Sequence, residues 1–138
     1  MVYLLDTNIV SEALAVTPNA GVVRKLARHQ RESVIAAPVW HELLYGCLRL
    51  PASSRRRRIL RFLEEVVGPS LDIVPYDGRV ATLHATERAR LEGLGRTVPF
   101  VDGQIAATAV AHALILVTRN AHDFELFEGL RVENWFED

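Results

Sequence analysis

The sequence predicts an α/β protein in which helices cover both faces of a parallel sheet. Short apolar runs, of the kind that form buried parallel strands, recur along the chain. Segments with helical periodicity separate these runs, and such alternation is typical of a parallel sheet between two helical layers. A length of 138 residues with 49% hydrophobic and 24% charged residues suits one domain, over residues 1–138, with a substantial core.

The first strand is predicted at Val2 to Leu5, an apolar run that stops at a charged residue. The turn Asp6-Thr7-Asn8 carries three side-chain oxygens that can cap a helix, which we expect at Ile9 to Leu14. A second helix starts at Pro18-Asn19-Ala20 and runs to about residue 31, with an apolar stripe along one side. The second strand is predicted at Val34 to Ala37.

The middle of the chain contains a pair of helices between the second and third strands. Pro38 suits the first position of a helix that runs to about Leu50. The segment Pro51 to Ser54 breaks the chain, and Ser53 or Ser54 caps a helix from about Arg55 to Val67. The third strand follows. It is predicted at Leu71 to Val74. The helix before it is expected to bury one face, which consists of Ile59, Leu60, Leu63, Val66 and Val67.

Two capped helices and two strands complete the predicted fold. Asp77 is expected to cap a helix at about Gly78 to Leu94. Asp102 is expected to cap a helix of small residues, Gly103 to Ala113. The remaining strands are Leu114 to Thr118 and, at the edge of the sheet, Leu130 to Glu133.

Composition narrows the possible function classes. A formal net charge of −1 gives no global signal for nucleic acid, although a local basic rim can still attract phosphate. Cys47 is the only cysteine, which excludes an intrachain disulfide and a cysteine-based zinc site and favours the cytoplasm. Asp6 interrupts the first apolar run, so no signal peptide is expected, and no segment has the length of a membrane span.

Oxygen-bearing side chains follow or flank several predicted strands. Asp6 directly follows the first strand, Thr118-Arg119-Asn120 follows the fourth with Asp123 three residues later, and Asp102 opens the helix that precedes the fourth strand. Because ligands bind at the carboxyl ends of parallel strands, we expect these side chains and Glu42 to converge there. Carboxylates brought together repel one another unless a cation neutralises them, and Mg²⁺ or Mn²⁺ suits an all-oxygen site. A metal-dependent phosphodiesterase, in particular a ribonuclease, is the function predicted from these positions.

Each of these residues also has a purely structural interpretation. Asp6 and Asp102 can serve as helix caps, and Glu42 can be an exposed helical glutamate. Gly46 lies one turn after Glu42. A glycine inside a helix lowers the stability of the helix, but it would let another backbone approach closely. The segment from Thr118 to Asn120 can be a plain turn. What favours the functional interpretation over the structural one is that all of these residues are predicted to lie at the same edge of the sheet.

Four motifs, in this order, resemble the PIN domain family, and their spacing resembles that of VapC-type toxins of bacterial toxin–antitoxin pairs. The resemblance covers essentially the whole chain. The motifs are Leu4-Leu5-Asp6-Thr7-Asn8, Glu42-Leu43-Leu44-Tyr45-Gly46, Asp102-Gly103-Gln104-Ile105-Ala106-Ala107-Thr108-Ala109, and Thr118-Arg119-Asn120 with Asp123-Phe124.

The resemblance implies a three-layer α/β/α sandwich and Mg²⁺- or Mn²⁺-dependent cleavage of RNA. Asp6, Glu42 and Asp102 match the three core acidic positions of the family. Many members carry a fourth acidic residue where this chain has Asn120, and Asp123 is the nearest acid. The resemblance further implies a homodimer and a cognate antitoxin whose C-terminal segment lies across the active-site groove.

On this interpretation the catalytic residues are Asp6, Glu42, Asp102 and Asp123. Asp6 and Asp102 are expected to bind the metal directly, and Glu42 directly or through water. Hydrogen bonds that hold these ligands are expected from four residues, Thr7, Asn8, Thr118 and Asn120. The five histidines, among them His84, are expected at the surface or on helices, without a role in the reaction.

The run Arg55 to Arg58 has two interpretations at the level of sequence. It either contacts RNA phosphates or forms a solvated face, and a helix start is an unfavourable place for cations. Different functions are open as well. An aspartyl-phosphate phosphotransferase would need a lysine, and Lys25, the only one, is poorly placed. The sequence also allows a non-catalytic module that binds RNA or protein, and an RNA-processing nuclease outside any toxin–antitoxin pair.

Overall fold

The computed structural model, which describes residues 1–137, contains a five-stranded sheet in which every pairing is parallel. The strands follow the order β3-β2-β1-β4-β5. The α/β prediction is therefore confirmed, including a fifth strand at the edge. The strands are β1 (Tyr3–Leu5), β2 (Ser33–Ala36), β3 (Asp72–Val74), β4 (Ile115–Val117) and β5 (Arg131–Glu133).

Helices connect all of the strands except the last pair, which is joined by a single 3₁₀ turn, Ala121–Phe124. Another 3₁₀ turn, Gln30–Glu32, leads into β2. A π-type turn, Leu63–Val67, separates the fourth helix from the fifth. The helices are α1 (Thr7–Glu12), α2 (Ala20–His29), α3 (Ala37–Leu48), α4 (Ser54–Phe62), α5 (Gly68–Ser70), α6 (Gly78–Gly93) and α7 (Phe100–Ala111).

The order in which the chain adds strands to the sheet reverses beside the first strand. From β1 the chain adds β2 and then β3 on one side, and it later adds β4 and β5 on the other. Leu5 pairs in register with Val117, and the amide of Asp6 donates to the carbonyl of Val117 at 2.9 Å. The carboxyl ends of β1 and β4 thus form the crevice in which sheets of this type bind ligands.

Side-chain caps define where several helices begin. Asp6 caps α1 and Asp77 caps α6, as predicted, and Ser53 caps α4. The predicted capping role of Asp102 is wrong, because α7 begins two residues before it, at Phe100, with Pro99 at the capping position. Asp102 therefore lies inside the first helical turn.

Other boundaries differ from the prediction by local causes. Helix α1 begins at Thr7 instead of residue 9, since Asp6 alone caps it. The predicted single helix from residue 55 to residue 67 ends at Phe62, where the backbone widens into the π-type turn. Val66, predicted on the buried face, is exposed, whereas Leu63 and Val67 are buried.

The core lies on the sheet, whose three central strands are almost completely buried. Leu4, Leu5, Ile35 and Leu116 have no exposed surface. They pack with buried side chains from helices α1, α3 and α7. Within residues 1–137 no helix combines the length and the apolar character needed to cross a bilayer.

Candidate active site

Asp6 is a buried carboxylate held in one orientation at the carboxyl end of β1. Its Oδ1 accepts a hydrogen bond from the amide of Thr7 at 2.8 Å. Its Oδ2 accepts from the hydroxyl of Thr118 at 2.8 Å and from Nδ2 of Asn8 at 3.4 Å. Burial raises the pKa of Asp6, while the hydrogen bonds from Thr118 and the Thr7 amide act to lower it. The chain thus fixes the geometry of this carboxylate while removing it from most of the solvent.

Thr118 links the two strands that form the crevice. Its hydroxyl donates to Asp6 and accepts from Nδ2 of Asn8 at 3.3 Å and from the amide of Asn120 at 3.1 Å. Asn8 also accepts from the amide of Arg119 at 3.1 Å. The predicted supporting residues Asn8 and Thr118 therefore join the end of β1 to the loop after β4.

Glu42 reaches the same region from helix α3. The hydroxyl of Thr7 donates to its Oε2 at 3.2 Å, which connects it to the residue next to Asp6. Partial burial raises the pKa of Glu42, and the nearby negative charge of Asp6 raises it further. Gly46, one turn later, has open space beside it, so the predicted close backbone approach is wrong.

Asp102 enters the site from the first turn of α7 and is half-buried. Burial raises its pKa to about 6, and the charges of Asp6, Asp123 and Glu42 all contribute in the same direction. An isolated carboxylate in water has a pKa of about 3.9. The carboxylates from β1, α3 and α7 therefore share one electrostatic environment that disfavours their simultaneous ionisation.

The loop after β4 presents two candidates for the fourth acidic position. Asp123 is exposed on the 3₁₀ turn, and its charge raises the pKa of Asp102. Asn120 is exposed, and its backbone amide, not its side chain, joins the Thr118 network. Of the two residues, only Asp123 adds negative charge to the site.

These carboxylates do not form a closed ligand cage. Among residues 1–137, no three acidic, histidine or cysteine side chains lie close enough together to bind a metal as a group. The available donors are carboxylate, hydroxyl and amide oxygens, which suit a hard divalent cation. A cation at Asp6 and Asp102 would complete its coordination with water or phosphate oxygens, and Mg²⁺ is commonly bound in that way.

A contact that the sequence did not suggest supports the start of α7. His84, expected without a role, is buried on α6, and its Nδ1 hydrogen-bonds the hydroxyl of Tyr76 at 2.8 Å. Burial lowers the pKa of His84, and the charge of Arg88 acts in the same direction. A Cβ atom added at Gly103 would overlap Nε2 of His84, so only glycine fits there. Gly103 follows Asp102 directly, and this contact therefore sets how closely the carboxylate-bearing turn approaches α6.

Known proteins resemble this chain over almost its whole length. A tRNA(fMet)-specific endonuclease VapC from Shigella flexneri is 35% identical over 133 residues, which is 96% of this chain and 97% of that protein. Toxin FitB from Neisseria gonorrhoeae is 35% identical over 124 residues, 88% of this chain and 89% of the toxin. The crystal structure of FitAcB from Neisseria gonorrhoeae superposes with a TM-score of 0.92 at 31% identity, covering 99% of this chain and 100% of that one.

The profile of the PIN domain family matches residues 3–129, a span that contains β1, β4 and all four carboxylates of the site. The family match, the relatives and the fold thus agree with the four motifs in the sequence. This chain belongs to the PIN domain family.

Proposed function

We propose that this protein is a metal-dependent endoribonuclease that acts as the toxin of a toxin–antitoxin pair. The observation that carries the proposal is the convergence of Asp6, Glu42 and Asp102 from three separate elements on the carboxyl end of β1. Burial and the charges of Asp6, Asp123 and Glu42 raise the pKa of Asp102, and within residues 1–137 none of these carboxylates forms an ion pair. A divalent cation and a phosphate bridged by it are the natural complement of such a site.

Asp6 and Asp102 would hold Mg²⁺ or Mn²⁺, and Glu42 would bind it directly or through water. When bound, the cation polarises a phosphodiester and lowers the pKa of a coordinated water. Asp6 presents its carboxylate in a direction set by Thr118 and the Thr7 amide, so little reorganisation is needed. Glu42 has a raised pKa and is well suited to orient the attacking water and accept its proton.

The names of the relatives support RNA as the substrate and suggest which RNA to test first. One is named for cleavage of tRNA(fMet), which makes an initiator tRNA the first substrate to test. Another is named a toxin, which supports a cognate antitoxin as the partner of this chain. We extend the proposal to a homodimer, as the VapC-type resemblance implies, and to the cytoplasm, which the single cysteine favours. The mass of the purified protein in solution tests the dimer.

Cleavage of an initiator tRNA and of a mixed pool of structured RNAs tests the proposal. The protein, purified free of any partner, is incubated with Mg²⁺, with Mn²⁺ and with chelator. We expect metal-dependent cleavage that falls by about 10³-fold or more in Asp6→Asn and in Asp102→Asn, because each change removes a metal ligand.

Asp77→Asn, purified identically, is the matched control. Asp77 caps α6 after β3, which β2 separates from β1, and asparagine caps a helix equally well, so the cleavage rate of this variant stays at the wild-type level. Cleavage that persists in chelator or survives Asp6→Asn contradicts the proposed site.

A further inference from the structure

We propose that a cleft leading from Glu42 to three arginines binds the backbone of the RNA substrate beside the cleaved phosphate. The inference rests on the proposed ribonuclease function and assigns the path of the strand. The cleft has a volume of about 570 Å³. Its walls come from α1, the segment after α1, α3 and α4, and its charged lining residues are Glu42, Arg49, Arg55 and Arg58.

One face of α3 runs the length of this cleft. Glu42 and Gly46 lie four residues apart on α3, and Arg49 follows three residues later as the C-cap, with helical backbone angles, so all three lie on the same side. Arg49, seven residues after Glu42, lies about 10 Å further along the helix axis at 1.5 Å per residue. A Cβ atom at Gly46 would meet nothing within 4 Å, so the missing side chain leaves the passage between the two charged ends open.

The structure also divides the arginine run in α4 into two groups. Arg55 and Arg58 line the cleft, whereas Arg56 and Arg57 do not. The thiol of Cys47, on α3, donates to the carbonyl of Arg56 at 3.4 Å and so helps to fix the rotation of α4. The run predicted to be either an RNA contact or a solvated face therefore has members that face the cleft and members that do not.

Besides its apolar lining, the cleft carries three arginines, whose positive charge favours a phosphate backbone. Within residues 1–137 none of Arg49, Arg55 and Arg58 forms an ion pair with an acidic side chain. Arg55 also lies in the first turn of α4, where the helix dipole is unfavourable for a cation. A bound phosphate would offset both the mutual repulsion of the arginines and the dipole. The acidic end at Glu42 fits the cleaved phosphate and its cation, and the basic end fits the phosphates that follow.

Binding of a fluorescent 12-nucleotide single-stranded RNA of mixed sequence, measured in chelator to prevent cleavage, tests this assignment. The double variant Arg55→Gln/Arg58→Gln should bind about tenfold more weakly at low salt. Its slope of log affinity against log salt should fall by about 1.4, since each phosphate contact to a single strand contributes about 0.7. Unfolding temperatures check that every variant is folded.

Arg57→Gln/Arg61→Gln is the matched control, because it makes the same charge change on exposed residues of the same helix outside the cleft. It should retain most of the affinity and of the salt slope. Gly46→Phe fills the passage without changing charge, and it should also weaken binding. Equal losses in the two arginine double variants would overturn the proposal, and so would unchanged binding in Gly46→Phe.

A protein occupant gives a different result. If a 12-residue polyglutamate peptide binds in a manner that depends on Arg55 and Arg58 while RNA binding does not, the cleft belongs to a protein partner and the RNA assignment fails. These binding results are separate from cleavage. Absence of metal-dependent cleavage by the wild-type protein refutes the proposed function, whereas equal binding by the two double variants refutes only the path of the strand.

Discussion

The crevice between β1 and β4 and the first turn of α7 each contribute an aspartate to the same site, but their surroundings differ. Asp6 accepts three hydrogen bonds from neighbouring groups. Asp102 has no hydrogen bond within residues 1–137 that lowers its pKa, and three neighbouring acids raise it. Hydrogen bonds within the fold therefore position Asp6. The ionised form of Asp102 is destabilised by burial and by its acidic neighbours, and a bound cation would remove this destabilisation.

Among changes to the residues around the two aspartates, the largest expected effect comes from removing a hydrogen bond to Asp6. Thr118→Val removes the hydroxyl that donates to Asp6 and should lower cleavage and Mn²⁺ affinity by about 10–100-fold, as for other residues that orient metal ligands. Cleavage kinetics and Mn²⁺ titration provide the measurement. Thr108→Val is the control, because Thr108 is equally buried but donates to the carbonyl of Gln104 within its own helix. Similar losses in both variants would mean that only general stability is affected.

The next effect comes from moving the turn that carries Asp102. In Gly103→Ala the added Cβ atom overlaps the His84 ring, so α7 or the ring must shift, and cleavage should fall by about tenfold, within the roughly 100-fold that a displacement of about 1 Å can cost. The double variant Gly103→Ala/His84→Ala should recover part of this loss, because the overlapping ring is gone. Gly93→Ala is the control, as a Cβ atom there meets nothing within 4 Å. A cleavage rate in Gly103→Ala equal to that of Gly93→Ala would contradict the role of this contact.

A smaller expected effect is a difference in unfolding temperature between the Asp102→Asn and Asp6→Asn variants. In chelator at pH 7.5, Asp102→Asn should raise the unfolding temperature by about 3 °C or more, because it removes a repelled charge. Asp6→Asn should raise it less, since its new amide group would face the amide of Asn8. The folded-state pKa of Asp102 is raised to about 6, so its ionisation destabilises the fold as the pH rises above about 4. The benefit of Asp102→Asn should therefore vanish near pH 4, and a benefit independent of pH would exclude this explanation.

The smallest expected effect concerns Asp123. Its charge is one of the causes of the raised pKa of Asp102, ranking after burial and Asp6. Asp123→Asn should therefore lower that pKa modestly and shift the pH dependence of the unfolding temperature in chelator to lower pH. Asn120→Ala should leave the pH dependence unchanged, since the Asn120 side chain adds no charge. An identical shift in both variants would show that the loop acts through its conformation.

Local sequence patterns predicted the features that depend on neighbouring residues. The apolar run before Asp6 indicated a buried strand, and β1 is buried at the centre of the sheet. The caps at Asp6 and Asp77 also followed from local chemistry. Asp102 was misplaced because aspartate is a good cap, whereas Pro99 supplies the extended backbone that starts α7 two residues earlier.

Local sequence patterns could not predict the features that depend on residues far apart in the chain. Thr118 was expected only to support a ligand, and its hydrogen bond to Asp6 joins strands that pair through the sheet order. The contact between His84 and Gly103 arises from the packing of α6 on α7, so neither residue alone signals it. Likewise, the arginine run was visible in the sequence, but the rotation of α4 decides which members line the cleft.

The hydrogen bond between Asp6 and Thr118 also has a consequence in time. The two residues are 112 positions apart, so the ribosome has synthesised most of the chain before they can meet. At roughly 5–20 residues per second this delay is about 6–22 s. For most of that interval the nascent chain carries both Asp6 and Glu42 but lacks β4, the strand that completes the centre of the sheet. The carboxylate site can therefore assemble only after Thr118 has been synthesised.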